Sequence, residues 1–221
     1  QVYHYHGLHQ HGSSSNRAKG IATILDKLDV ESVGDLPESL KPEVANFVIV
    51  LPVLGEHKIE GGIDFLQHSL DYLKKIKYIN NIYVLTDSEL VSNIAIQNKV
   101  KVITRPDATK DPNLSLEKVL QYALKSIEVL GDFPEAIIYV NYLYPFRPER
   151  LIDDLILELQ YEGLDSVFSS YIDFGNYWKE GLDGGYSQVD NALMPRSEKH
   201  PMYRALYGVG CATLTSIVRS G

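Results

Sequence analysis

The run Phe47-Val48-Ile49-Val50-Leu51 is apolar at every position and stops at Pro52, which predicts a strand buried on both faces. Runs of the same kind recur at 82–86, 100–103, 136–140 and 166–170. Between them apolar residues fall three and four apart, the spacing of one helical face. Phe65, Leu66, Leu70 and Leu73 place a helix over 63–77, and further helices are expected over 88–98, 115–130 and 149–162. Pro148 stands where the last can begin, since its missing N–H is no loss at a first helical position. Strands alternating with helices of this length predict a mostly parallel mixed sheet with helices on both faces, a three-layer Rossmann-like α/β fold. Ligands of such sheets bind at the carboxyl ends of the strands. Segment 173–200, with its glycines and Trp178, breaks the rhythm and reads as an excursion over the active edge or towards a partner subunit. Residues 207–218 then read as an antiparallel strand.

The first 45 residues follow a different pattern and are read as a separate arm, with the α/β domain occupying 46–221. His4, His6, His9 and His11 lie within eight positions, before a serine-rich stretch. Alternate residues of an extended chain share a face, so these imidazoles either gather on a metal or belong to a polar arm. Ile21, Ile24, Leu25 and Leu28 mark one short helix, and 31–46, with Pro37 and Pro42, reads as a linker.

Composition narrows the partners. The net charge of −8, from 21 basic and 29 acidic residues, argues against a broad nucleic-acid surface and for small-molecule or protein partners. One cysteine, Cys211, allows no internal disulfide and no thiolate zinc cluster, the usage expected of a reducing, cytoplasmic setting. No stretch of about 18 consecutive apolar residues occurs, so no membrane-spanning helix is expected.

Several segments together resemble the acylneuraminate cytidylyltransferase family, whose members activate sialic acid and related keto sugar acids with CTP. Thr86-Asp87-Ser88 closes one strand as in that family, and Thr104-Arg105-Pro106, Asp111, Ser115, Val119-Leu120 and Ala123-Leu124 follow its spacing. After the fourth strand, Asn141-Tyr142-Leu143-Tyr144-Pro145-Phe146-Arg147 stands where the family has Gln-Pro-Thr-Ser-Pro-Leu-Arg, retaining the closing Pro-x-Arg. Gly163-Leu164-Asp165-Ser166-Val167 and Tyr203-Arg204 before Tyr207-Gly208 are similar to later family segments. The resemblance covers about residues 47–221 and implies a nucleotidyltransferase version of the Rossmann-like fold. It further implies CTP and a keto sugar acid as substrates, a magnesium ion with no ligands identified, and a homodimer. Where the family has a basic, glycine-rich loop, this chain has Pro52-Val53-Leu54-Gly55-Glu56-His57-Lys58-Ile59-Glu60-Gly61-Gly62.

From the resemblance, Lys58 and Arg105 are the catalytic candidates, and Pro52, Gly55, Lys58, Asp87 and Arg105 the nucleotide-binding set. Asn141, Arg147, Lys179 and Tyr203 would face the sugar. The residues themselves leave alternatives open. Lys58 is a phosphate ligand or a solvated charge, and His57 a phosphate contact or an exposed loop residue. Arg105 is a ligand-binding fork or the ion-pair partner of Asp107 or Asp111. Asp87 is a ligand contact, or caps the next helix through its own or Ser88's side chain. Arg147 is a carboxylate clamp or an anchor for the turn before Pro148. Tyr142 and Tyr144 would reshape a sugar pocket, and Tyr177-Trp178-Lys179 either covers that pocket or packs as a loop. Glu56 and Glu60, which repel a triphosphate, keep a second function open: a non-catalytic binding or assembly domain with the same fold.

Overall fold

Strand β1 (Phe47–Val53) is buried along its length except at Pro52, which is half-buried. Successive side chains of a strand point to opposite faces. Phe47, Ile49, Leu51 and Val53 enter one core, and Val48 and Val50 the other. The computed structural model describes residues 46–106, 114–189, 195, 198 and 202–220. The expected histidine arm, its helix and the linker to residue 45 lie outside the described residues, as do Asp107 and Asp111.

Around β1 runs a six-stranded sheet. In chain order its other strands are β4 (Asn81–Thr86), β5 (Lys101–Thr104), β6 (Ala136–Tyr139), β7 (Ser166–Phe168) and β12 (Cys211–Leu214). The spatial order is β5-β4-β1-β6-β12-β7. The pairs β1/β4, β4/β5 and β1/β6 are parallel, and β12 is antiparallel to both neighbours. Helices α1 (Phe65–Leu73), α2 (Glu89–Gln97) and α4 (Leu151–Tyr161) fill the core on one face, led by Leu66, Leu70, Val91 and Leu155. Helix α3 (Leu116–Val129) and Val218 of α5 (Thr215–Ser220) fill the other. The three-layer, mostly parallel α/β architecture expected from the pattern is therefore the one observed. No helix among the described residues is long and apolar enough to cross a membrane.

Several boundaries differ from the expectation, most of them for a hydrogen-bonding reason. Helix α1 starts at Phe65 because β2 (Ile59–Glu60) and β3 (Ile63–Asp64) form a hairpin before it, and Asp64 Oδ1 accepts the N–H groups of Leu66 and Gln67 at 2.9 and 3.0 Å. Helix α4 starts at Leu151, whose N–H bonds the Pro148 carbonyl at 3.2 Å, so the proline precedes the helix in a turn. The expected strand over 166–170 is cut at Ser169, whose N–H turns to the Gly210 carbonyl at 2.9 Å. There β7 gives way to β8 (Ser170–Asp173), which pairs antiparallel with β11 (Met202–Ala205). The stretch 207–218 is a strand only at β12, because Thr215 and Val218 are buried at helical spacing and form α5. The excursion contains a second hairpin, β9 (Trp178–Glu180) with β10 (Tyr186–Gln188).

At the amino ends of the strands, the carboxylate of Asp132 accepts from Asn46 Nδ2 at 3.0 Å, Asn81 Nδ2 at 2.7 Å and the Tyr83 hydroxyl at 2.7 Å. The Lys101 ammonium lies 3.9 Å away. Burial pushes this carboxyl's pKa up, but the donors and the lysine outweigh it and hold it below the ordinary 3.8. A carboxylate depressed in the folded state contributes stability that is present above its unfolded value and lost as pH falls through its folded value. Asp132→Asn should therefore cost about 2 kcal/mol at neutral pH. Urea unfolding of both proteins should show the difference shrinking once the pH drops below 3.8; a difference that stays constant through that range would sink the idea.

Candidate functional site

The carboxyl ends of β1, β4 and β5 lie side by side, with Val53 opposite Thr86 and Thr86 opposite Thr104 in the ladders. Pro52 is tolerated in a central strand because the β1/β6 ladder stops at Val50, leaving no partner there for the N–H it lacks. Just beyond β1, Gly55 adopts φ +67°, the left-handed region that favours glycine. That turn aims its N–H at Asp87 Oδ1, 2.9 Å away. Asp87 is therefore not the helix cap; Ser88 Oγ caps α2 by accepting the Val91 N–H at 3.4 Å.

Arg105 extends the β4/β5 ladder, its N–H bonding the Thr86 carbonyl at 2.9 Å. Its side chain is tucked in, with the residue only 6% exposed. Burial pulls its guanidinium pKa down and the charge of Asp87 pushes it back up. Three strand ends thus carry a loop amide hydrogen-bonded to a carboxylate, Gly55 to Asp87, and a buried cation, Arg105, that feels the charge of that carboxylate.

The rest of the 55–62 loop is a hairpin. Gly61 and Gly62 have φ of +60° and +79°, positive at both central positions as in a type I′ turn, so this pair serves the β2/β3 reversal. Lys58 pairs with Glu60 and sits 5.4 Å over the Phe65 ring. Its side chain is half-exposed, and an exposed ion pair of this kind is worth only about 0–1 kcal/mol, so an incoming anion can compete for the ammonium. His57 is not exposed: Nε2 donates to Asp64 Oδ2 at 3.0 Å and its side chain is 7% accessible. Asp64 thereby couples the loop to the α1 N-terminus with both carboxylate oxygens. Sequence reasoning missed it, although an aspartate before a helical apolar run is the usual cap signal.

On the other side of β1, Arg147 acts as an anchor. Nε donates to the Val209 carbonyl at 2.8 Å, and Nη2 to the carbonyls of Asn141 and Gly208 at 2.7 and 3.3 Å. Burial pulls its pKa down to about 10, partly offset by Tyr72 and Tyr139. Asn141 is engaged in the same turn, where Oδ1 accepts the Leu143 N–H at 2.9 Å and its own N–H bonds the Gly208 carbonyl at 2.8 Å. A Cβ on Gly208 would come within 2.6 Å of the Tyr144 ring, so any larger residue would have to displace that side chain. Tyr142 is buried in the α1-side core and Tyr144 is partly exposed.

Lys179 projects from the exposed β9/β10 hairpin, whose Gly181, Gly184, Ser187 and Val189 bond within residues 177–189. Tyr203 is exposed on β11, opposite Ile172. No hydrogen bond or ion pair among those described links these two to Arg147. No three His, Cys, Asp or Glu among the described residues gather to hold a metal, and Asp87 already accepts the Gly55 N–H. These side chains alone therefore do not form a magnesium cage.

The anchoring geometry makes a direct prediction. Arg147→Lys removes the fork that spans three carbonyls and should lower stability by about 2 kcal/mol in chemical denaturation. A loss below about 0.5 kcal/mol, the range of ordinary surface changes, would mean that the fork does not hold this turn.

Comparison with protein-family models and with curated proteins gives no match. Comparison with solved structures does. The chain is similar to a 4-diphosphocytidyl-2C-methyl-D-erythritol synthase from Anaerococcus prevotii DSM 20548, with a TM-score of 0.61 at 15% identity, covering 80% of this chain and 73% of that one. It is similar to CMP:2-keto-3-deoxy-manno-octonic acid synthetase complexed with CTP, with a TM-score of 0.57 at 14% identity over 80% of this chain and 77% of that one. A further 4-diphosphocytidyl-2C-methyl-D-erythritol synthase matches with a TM-score of 0.57 at 13% identity over 78% of this chain and 76% of that one. The chain therefore shares the three-layer, Rossmann-like α/β fold of these synthases.

Proposed function

We propose that this protein is a cytidylyltransferase that moves CMP from CTP to a hydroxyl of a keto sugar acid. The observation that carries the reading is the joining of Gly55, Asp87 and Arg105 at the carboxyl ends of three parallel strands, in a fold shared with a synthetase solved with CTP. The acceptor hydroxyl forms a new bond to the α-phosphorus. The bond from that phosphorus to the bridging oxygen breaks, pyrophosphate leaves with the electron pair, and the hydroxyl proton is lost to water. Such chemistry depends on positioning and charge stabilisation.

In this reading the Gly55 loop and Lys58 receive the phosphates, with Lys58 leaving Glu60 to do so. Arg105 stabilises charge from beneath the edge, and Pro52 and Asp87 shape the loop. Asn141 and Arg147 hold the turn that walls the sugar side, while Lys179 from the excursion and Tyr203 from β11 contact the sugar. A magnesium ion, for which the described residues offer no ligand cluster, would supply charge neutralisation of the triphosphate. Trp178 and Tyr186 are exposed apolar surface that a second copy would cover, so a two-chain mass is expected in light scattering. A one-chain mass at working concentration would count against the dimer.

A second reading, a binding or assembly domain without catalysis, draws on the Lys58–Glu60 pair and on Glu56, which lower the attraction of the loop for a triphosphate. Calorimetric titration with CTP, UTP and ATP in magnesium buffer separates the two. Selective CTP binding, about tenfold weaker in Lys58→Ala, together with pyrophosphate release on adding keto sugar acids, is the expected result. Absence of binding to all three nucleotides would overturn the enzyme reading in favour of the second.

A further inference from the structure

Away from the Gly55–Asp87–Arg105 edge, a cavity of about 630 Å³ opens between the end of α1 and the start of α4. Tyr72, Lys75, Lys77, Tyr78, Arg147, Glu149, Arg150 and Asp153 line it. Four cations against two carboxylates is a local reversal in a chain whose net charge is −8. The local geometry leaves several of those cations available. Lys75 and Lys77 are exposed, and their ammonium groups make no hydrogen bond or close ion pair among the described residues, although Asp153 attracts that of Lys77 through space. The neighbouring Lys74 is the one that pairs with Asp71, at 3.7 Å. Asp153 is occupied at Oδ1 by the Lys77 N–H at 3.0 Å, and Arg150 pairs with Asp154 at 3.3 Å, outside the lining.

Arg147 contributes the most specific feature. Its Nε and Nη2 are committed to backbone carbonyls, whereas Nη1 is buried with no hydrogen-bond partner among the described residues. A buried donor left without a partner costs free energy that an anionic oxygen would recover. The Tyr72 hydroxyl donates to the Pro148 carbonyl at 2.8 Å, and its ring stands 5.9 Å from the Arg147 guanidinium, so this part of the wall is tied to the turn before α4.

We infer that this cavity is a binding site for a small phosphorylated metabolite, separate from the strand-edge site. The phosphoryl group would lie among Lys75 and Lys77, from the segment after α1, and Arg147, from the turn after β6, a donor set that suits a dianion. The volume falls in the range of small-molecule sites and exceeds what a lone phosphate fills, leaving room for a carbon skeleton against Tyr72 and Tyr78. Because the same guanidinium holds the carbonyls of Asn141, Gly208 and Val209, occupancy would also brace the turn beside β6.

The test is amide NMR of the full chain titrated with inorganic phosphate, ribose 5-phosphate and, as a neutral control, ribose. Saturable shifts centred on the Lys77, Tyr78 and Arg150 amides, with a dissociation constant of about 1 mM or tighter, are expected for one or both phosphates. Binding by inorganic phosphate shows that the phosphoryl group suffices, and binding by ribose 5-phosphate alone shows that the skeleton contributes. The exposed double variant Lys75→Ala/Lys77→Ala, checked for an unchanged fold by its amide dispersion, should weaken binding by about tenfold or more. Shifts confined to Gly55 and Asp87, equal affinity in the double variant, an effect reproduced by ribose, or no saturable shift would each overturn the assignment. Because the reporters at this cavity and at the strand edge are different amides, the result stands whether or not the protein binds CTP.

Discussion

Strand β1 lies where water does not reach, so each of its backbone polar groups has to find a partner in a neighbouring strand. Parallel ladders to β4 on one side and β6 on the other meet that demand, with Val50 opposite both Tyr83 and Tyr139. The same strand divides its side chains between the two cores, and thereby fixes which helices lie on which face. Slipping the register by one residue would exchange the faces, so the ladder is strongly specified. Because β1, β4 and β5 run in one direction, their following loops emerge together. That placement is why Gly55, Asp87 and Arg105 meet although they are far apart in the chain.

The electrostatics of this edge are set by solvent exclusion more than by net charge. The chain is acidic overall, yet Arg105 is buried at the strand ends and Arg147 is half-buried beside β6. Arg147 is held on backbone carbonyls, and Arg105 lies within the field of the Asp87 charge. The nearby carboxylates are used the other way, as acceptors of backbone N–H groups, Asp87 for Gly55 and Asp64 for the first turn of α1. The outcome is an edge whose charges keep their positions without a ligand, the condition under which charge stabilisation needs little reorganisation. Cys211 belongs to none of this; it packs against the α3-side core, where burial pushes its thiol up to about 12.

Much of the architecture was legible because it depends on periodicity. The all-apolar run at 47–51 and the helical spacing of Leu66, Leu70 and Leu73 each reflect a local geometry that the side chains repeat. Element ends were less legible, since they turn on single hydrogen bonds: Asp64 capping α1, Ser169 diverting its N–H to Gly210, Leu151 turning back to Pro148. The Gly61-Gly62 pair shows the same limit. Two glycines after a basic residue fit a phosphate loop or a tight hairpin equally well on paper, and only the pairing of Ile59 with Asp64 shows that they make the hairpin turn. Arg147 stood open between clamp and anchor because its partners, at 208 and 209, lie on a loop that sequence spacing does not bring near it.

By itself, then, the sequence determined the alternation of strand and helix, the two-faced burial of the central strand and the edge at which loops gather, because each follows from hydrophobic period and chain direction. Tertiary structure decided which polar groups meet. Asp87 finds the Gly55 amide across 32 positions and Arg147 the Val209 carbonyl across 62. Partners that distant are chosen by strand register and loop closure, and the free energy that selects them comes from burying donors and acceptors that must then be satisfied.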